Sequence, residues 1–152
     1  MKSILTIFAT VICLFGFEVA QAQAQESPML KAYIPFAFTV GNKTLSAGDY
    51  EIRRGLSTQP ELLLIQGEDH ENWKQEMFFL TNLAQASATP TKTQLVFDHV
   101  GDSYFLSKVW MAGENTGREA PITKSERNME LSGLTREQVM INANSITNRA
   151  TE

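Results

Sequence analysis

Few side chains in this chain are of a type to carry chemistry. There are two histidines, His70 and His99, and one cysteine, Cys13. His70 sits in Glu68-Asp69-His70-Glu71, the one run where carboxylates and an imidazole crowd together as a divalent ion would need. Consecutive residues of a turn do not converge on one point, so the run reads as a charged, solvated turn. Asp98-His99 with Asp102-Ser103 supplies the acid, base and hydroxyl of a nucleophilic triad. A triad draws its members from separate elements. Here all four surround one expected hairpin tip, with no Gly-x-Ser-x-Gly elbow before the serine. Asp49, Glu51 and Glu61 are carboxylates of the kind that hydrolyse glycosides in pairs, but their spacing selects no pair. The sequence carries no glycine-rich phosphate loop and no zinc signature. It therefore predicts no catalytic residue, no metal ligand and no cofactor. What remains is contact chemistry. Its candidates are Trp73, an amphipathic ring at a turn-to-strand junction, and the tip residues His99 and Asp102.

These positions must be held by β-structure. Between Leu30 and Val40, Ala32, Ile34, Phe36, Phe38 and Val40 are apolar at every second residue, the period of a strand with one buried face. Gly41-Asn42 then offers the positive-φ residues of a two-residue hairpin loop, and Thr44 to Arg54 is the expected return strand. Pro35 donates no backbone hydrogen bond, which favours an edge or a bulge. A second turn is expected over Leu45 to Asp49. Gly55 to Pro60 reads as a loop, Glu61 to Ile65 as a strand buried on both faces, and Lys74 to Leu80 as a strand after the charged turn at 67–72. In that strand Met77 and Phe79 share one side, and Phe78 and Leu80 the other. Ala84 to Lys92 is small and polar, hence loop. Thr93 to Met111 forms a second hairpin reversing at Gly101-Asp102, apolar on both faces and so expected to be central. The fold class is mainly β: an antiparallel sandwich or small barrel of about six to eight strands, with one or two short C-terminal helices.

Ala112 to Pro121 is read as a loop. Thr123-Lys-Ser-Glu126 has capping-box spacing, predicting a helix to about Leu131 that Gly133 stops. Thr135-Arg-Glu-Gln138 repeats the pattern and predicts a weak second helix through Val139, Met140, Ala143 and Ile146, within a tail at 132–152. The β-rich domain with its capping helix is placed at 30–131.

The chain has 152 residues and a formal net charge of −4. Residues 1–24 read as a secretory signal peptide: Lys2 supplies the positive start, Ile4 to Phe17 the apolar stretch, and the small-residue zone places cleavage after Ala22 or Ala24. The apolar stretch is shorter than the roughly 20 residues a spanning helix needs. The implied location is periplasmic or secreted, with no stable membrane insertion after cleavage. Residues 25–29 are expected to be a disordered lead. Cleavage removes Cys13, and with it disulfides, thiolate ligands and cysteine nucleophiles. Mild acidity and scattered bases argue against a nucleic-acid surface. Arg53-Arg54, the only adjacent basic pair, reads as a solvated strand end.

Three blocks, IPFAFTVGNKTLSAGDYEI, LVFDHVGDSYFLSKVW and GREAPITKSE, resemble those of an uncharacterised family of small exported bacterial β-rich proteins. The likeness covers roughly Leu30 to Glu126. Ser46 stands where the family's L-P-A-G turn has proline, which would pre-set φ there. The resemblance implies no activity, cofactor or catalytic residue. The sequence thus points to a non-catalytic exported domain binding an unknown protein or envelope component through an edge strand or loop. The alternative is a carrier, in which the aromatic residues line a calyx for a small apolar ligand. A hydrolase ranks last.

Overall fold

The computed structural model describes residues 29–56, 58–68 and 75–146. The leader, residues 25–28 of the lead, His70, Trp73 and the chain from 147 onward lie outside the described residues. Two sheets account for nearly all of the rest. The first has five strands: β1 (Leu30–Ile34), β4 (Gly48–Leu56), β5 (Gln59–Gly67), β6 (Glu76–Leu80) and the short β12 (Asn144–Ser145), in the order β12-β1-β4-β5-β6. The second has seven. Its main path is β11 (Arg136–Asn142), β8 (Gln94–Val100), β9 (Ser103–Trp110), β10 (Thr116–Glu119) and β7 (Asn82–Gln85), with β2 (Phe38–Val40) and β3 (Lys43–Leu45) attached beside β9. The sheets pack face to face without closing into a barrel. The strands outnumber the six to eight expected because several are only two to four residues long.

The core is the product of alternation. Leu30, Ala32 and Ile34 of β1, Tyr50 and Ile52 of β4, and Leu63 and Ile65 of β5 face Phe38, Leu95, Phe97, Leu106 and Val109 of the other sheet, all buried. Burying each large side chain stabilises by roughly 1.5–3 kcal/mol. The rings of Phe38 and Tyr50 meet edge-on at 5.2 Å and those of Phe38 and Phe97 at 5.4 Å, so Phe38 locks one sheet onto the other. These aromatics fill the interior against one another.

The expected first hairpin divides between the sheets. Gly41, at φ 58°, does close a two-residue turn between Val40 and Lys43. Strand pairing stops at Pro35, however, and β2 with β3 joins the seven-stranded sheet while β1 pairs with β4 in the other. Residues 35–37, starting with Pro35, on one strand and Ser46-Ala47 on the other interrupt the ladder at the same level, which lets both strands bend across together. The second hairpin is as expected, with Gly101 at φ 60° and Val100 opposite Ser103. Strand β9 carries an extra residue, Ser107, opposite the step from Val96 to Phe97.

Several expectations need correction. The loop at 55–60 is a tight reversal, since β4 runs to Leu56 and β5 starts at Gln59. Strand β5 is buried on one face only: Leu63 and Ile65 are covered, Leu62 and Leu64 half so. Most consequentially, the second helix is a strand. Residues 136–142 pair with β8 along its whole length, from Arg136 opposite Val100 to Asn142 opposite Gln94. Val139, Ile141 and Ala143 alternate toward the core, and a weak helix former yields to an open ladder edge that satisfies every second backbone group. The domain therefore runs past 131 to Ile146, whose amide donates to the Met29 carbonyl at 3.1 Å. Loops 84–92 and 112–121 also surrender residues to β7 and β10, which pair with each other. Helix α1 (Lys124–Leu131) is as predicted, with both capping-box bonds formed and Gly133 at φ 88° beyond its end.

Candidate interaction face

The candidate contact residues fall in different settings. His99 lies on the inner side of β8, its ring stacked 4.3 Å from Tyr104, which in turn stacks 3.9 Å from Phe36. Phe36 meets Phe97 edge-on. The imidazole is thus the outermost plate of an aromatic column that begins in the core. Asp102 is exposed in the turn beyond it. Trp73 lies outside the described residues. Among the described residues, no group of three or more His, Cys, Asp or Glu side chains is placed to hold a metal ion.

The outer face of the seven-stranded sheet is covered over β8, while Met140 of β11 beside it stays exposed. Val96, Asp98, Val100 and Phe105 point outward and are nevertheless buried, with α1 lying against β8. Asp98 and Glu126 are 2% and 3% exposed. Arg136 of β11 joins them: its guanidinium reaches Asp98 Oδ2 at 3.3 Å and Glu126 Oε1 at 3.3 Å, and binds Glu130 as well. Gln138 Nε2 donates to Asp98 Oδ1 at 3.3 Å. One cation thus serves three carboxylates. Burial pushes the Glu126 carboxyl above its usual range, against the hydrogen bond from the Thr123 amide and the charge of Arg136, while Asp98 and Glu130 add to the rise. Glu126 caps the helix and clamps it to the sheet through the same side chain.

The outer face of the five-stranded sheet is open, and it is divided in two. Its β1–β4 half is mostly ionic, with the exposed ring of Tyr33 beside Asp49 at its end. Lys31 Nζ bridges Glu51 at 2.5 Å and Glu68 at 2.6 Å, and Arg53 reaches Glu51 at 2.6 Å. Burial alone would raise the Glu51 carboxyl, but hydrogen bonds from Lys31 and Arg53 hold it below its usual range. Lys31 is held above its own ordinary value by the hydrogen bonds it donates to Glu51 and Glu68. The β5–β6 half is apolar. Leu62 lies opposite Leu80 and Leu64 opposite Phe78, all four directed outward. Phe78 is 49% exposed and Leu80 61%. Gly55 admits this packing: a Cβ there would come within 2.8 Å of Leu62 and 3.2 Å of Phe78. Strand β6 ends the sheet, so no strand pairs with its outer edge among the described residues; at the start of that edge Lys43 Nζ donates to the Glu76 carbonyl at 2.8 Å, which leaves the stretch at Phe78 and Leu80 open.

A polar cleft flanks this face where β3 turns into β4, lined by Ser46, Asp49, Tyr50, Glu68 and Gln75. The Tyr50 hydroxyl donates to the Ser46 carbonyl at 2.7 Å and lies 3.1 Å from Gln75 Oε1. Gln75 Nε2 donates to Ser46 Oγ at 2.9 Å, and the Ser46 amide donates back to Gln75 Oε1 at 3.2 Å. A proline at 46 would supply neither the amide nor the hydroxyl. The serine exchanges a pre-set φ for a two-way lock on the strand that leads into β6.

Comparison with protein-family models, curated proteins and solved structures returned no match. The alternation of residues 76–80 is visible in the sequence, but not which of its two sides meets solvent. Arg136 carried no signal as a charge partner because it was assigned to a helix.

Proposed function

We propose that this chain is an exported, non-catalytic interaction module that takes an extended segment of a partner protein along β6. The observation that carries the reading is the coincidence of two features on one strand. Phe78 and Leu80 expose apolar surface outward, and beyond the Lys43-capped Glu76 carbonyl the backbone edge of the same strand meets no other strand among the described residues. An added strand gains main-chain hydrogen bonds from such an edge and side-chain specificity from the neighbouring face. Exposed apolar edge strands otherwise invite aggregation, and proteins keep them where they are used. The ionic half of the face supports the same reading, since Lys31, Glu51, Arg53 and Glu68 form a solvated border to the apolar half. Export rests on the signal-like leader. Mass measurement of the chain recovered from the envelope fraction tests it, with mature starts expected at Gln23 or Gln25.

Site-specific photo-crosslinking in the producing cell tests the contact. A crosslinker at position 80 is expected to give one discrete protein adduct, and a crosslinker at the exposed Asp49 of the ionic half to give none. Equal labelling from both positions, or none from either, would sink the reading.

A further inference from the structure

The two sheets leave a slot at one end of the sandwich, on the inner side and away from the β6 face. Its volume is about 120 Å³; Met111 and the exposed Leu83 of β7 offer its accessible apolar surface, over the buried Leu63 of β5 and Val109 of β9. Arg54 of β4 and Arg118 of β10 stand in the same slot, one from each sheet, together with Glu114 from the loop before β10. Strand register explains why both arginines are there. Arg54 lies opposite Leu63, and Arg118 lies opposite both Leu83 and Val109, so each continues an inward-facing row past the end of the core. Arg53, by contrast, points to the opposite face and is paired with Glu51. Among the described residues neither Arg54 nor Arg118 has a carboxylate within ion-pair distance, although acids outnumber bases in this chain.

We infer that this slot binds a small monocarboxylate with a compact apolar body, its carboxylate held by Arg54 and Arg118 and its body against Met111 and Leu83. The volume sets the size. It is close to the roughly 150 Å³ of a dry cavity that takes benzene, and well below the roughly 300 Å³ at which pockets for drug-sized ligands begin. A single ring or a short acyl chain fits; a long-chain fatty acid does not. The charge sets the head group. Two guanidinium forks offer paired N–H donors matched to a carboxylate, and Glu114 at the same opening disfavours more highly charged anions by repulsion. The slot and the β6 face share no residue, so either can fail without the other.

The test is titration of the mature full-length chain, followed by amide and methyl NMR. The probes are phenylacetate and hexanoate, with phenylacetamide and hexanamide as uncharged counterparts and palmitate as the long-chain control. The two short acids are expected to bind saturably, to shift the Met111 and Leu83 methyl signals, and to leave the Phe78 signals in place. The amides should bind at least about tenfold more weakly, the loss of a charge-assisted contact. Arg54→Gln and Arg118→Gln should each weaken phenylacetate by a similar factor while leaving phenylacetamide unchanged. That last comparison separates lost charge recognition from a damaged fold. Equal affinity for acid and amide, preference for palmitate, or no saturable binding would each overturn the assignment.

Discussion

On the outer face of the seven-stranded sheet, a carboxylate as buried as Asp98 is matched by a helix laid over it and an arginine threaded between them. On the outer face of the five-stranded sheet, the apolar side chains of Phe78 and Leu80 stand in solvent with nothing over them. The first face buries what is costly to bury, and the second exposes what is costly to expose. A buried acid is tolerable only with its cation and hydrogen bonds in place, so the first arrangement is structural. The second leaves about half or more of each side chain unburied, and that makes it the better place to look for a partner.

The sharpest way to break this contrast is Arg136→Met. It leaves Asp98 and Glu126 buried without a cation, and unfolding in urea should show a loss of about 3 kcal/mol. That is the low end of the range for broken buried pairs, because the arginine is itself 31% exposed. A loss no larger than that of a surface substitution would put the two faces on one footing. Next in size is Gly117→Ala. A Cβ there would sit 2.3 Å from the Trp110 ring, which lies across β10 on the same outer face. Overpacking of this kind costs about 2 kcal/mol, readable as a lowered Tm.

Glu126→Gln should act in the other direction. Glutamine keeps an acceptor for the Thr123 amide and removes one of three carboxylates from a single arginine. Because the folded-state carboxyl is raised above its unfolded value, its proton is held more tightly by the native chain. The stability it contributes is fully present below the unfolded value and is lost as pH rises through the folded one. The variant should thus match the wild type in acid and exceed it near neutral pH, by up to about 1 kcal/mol. Urea midpoints measured across that interval should diverge upward; parallel curves would mean that Glu126 is ionised without cost. The smallest effect is expected from Leu80→Lys, within about 0.5 kcal/mol of the wild type. That variant sharpens the contrast most if it also abolishes the crosslinked adduct, for then an exposed side chain with no stability role carries the contact.

Much of the fold is legible in the residues. The alternation in β1 and β4 identifies core positions that are buried, the two-sided apolar pattern of β8 and β9 marks the central pair, and Gly41 and Gly101 mark the two reversals because each sits at positive φ. The capping box at Thr123 and Glu126 predicts α1 from local bonding alone, and it forms. The strand at 136–142 was not legible, since its pairing partner lies some forty residues upstream and helix and strand patterns overlap in so polar a segment. The candidate site was half legible. Phe78 and Leu80 share a side in any strand, but solvent exposure of that side follows from β6 ending the sheet with no helix above it.

The sequence by itself determined the β class, the turn positions and the inward rows, because these depend on φ preference and on a side-chain period of two. Long-range packing set the crossing of the first hairpin between sheets, the gathering of Asp98, Glu126 and Glu130 by Arg136, and the placing of Arg54 and Arg118 along one slot. Each of those depends on contacts between residues distant in the chain, where strand order and register, not local preference, determine which side chains become neighbours.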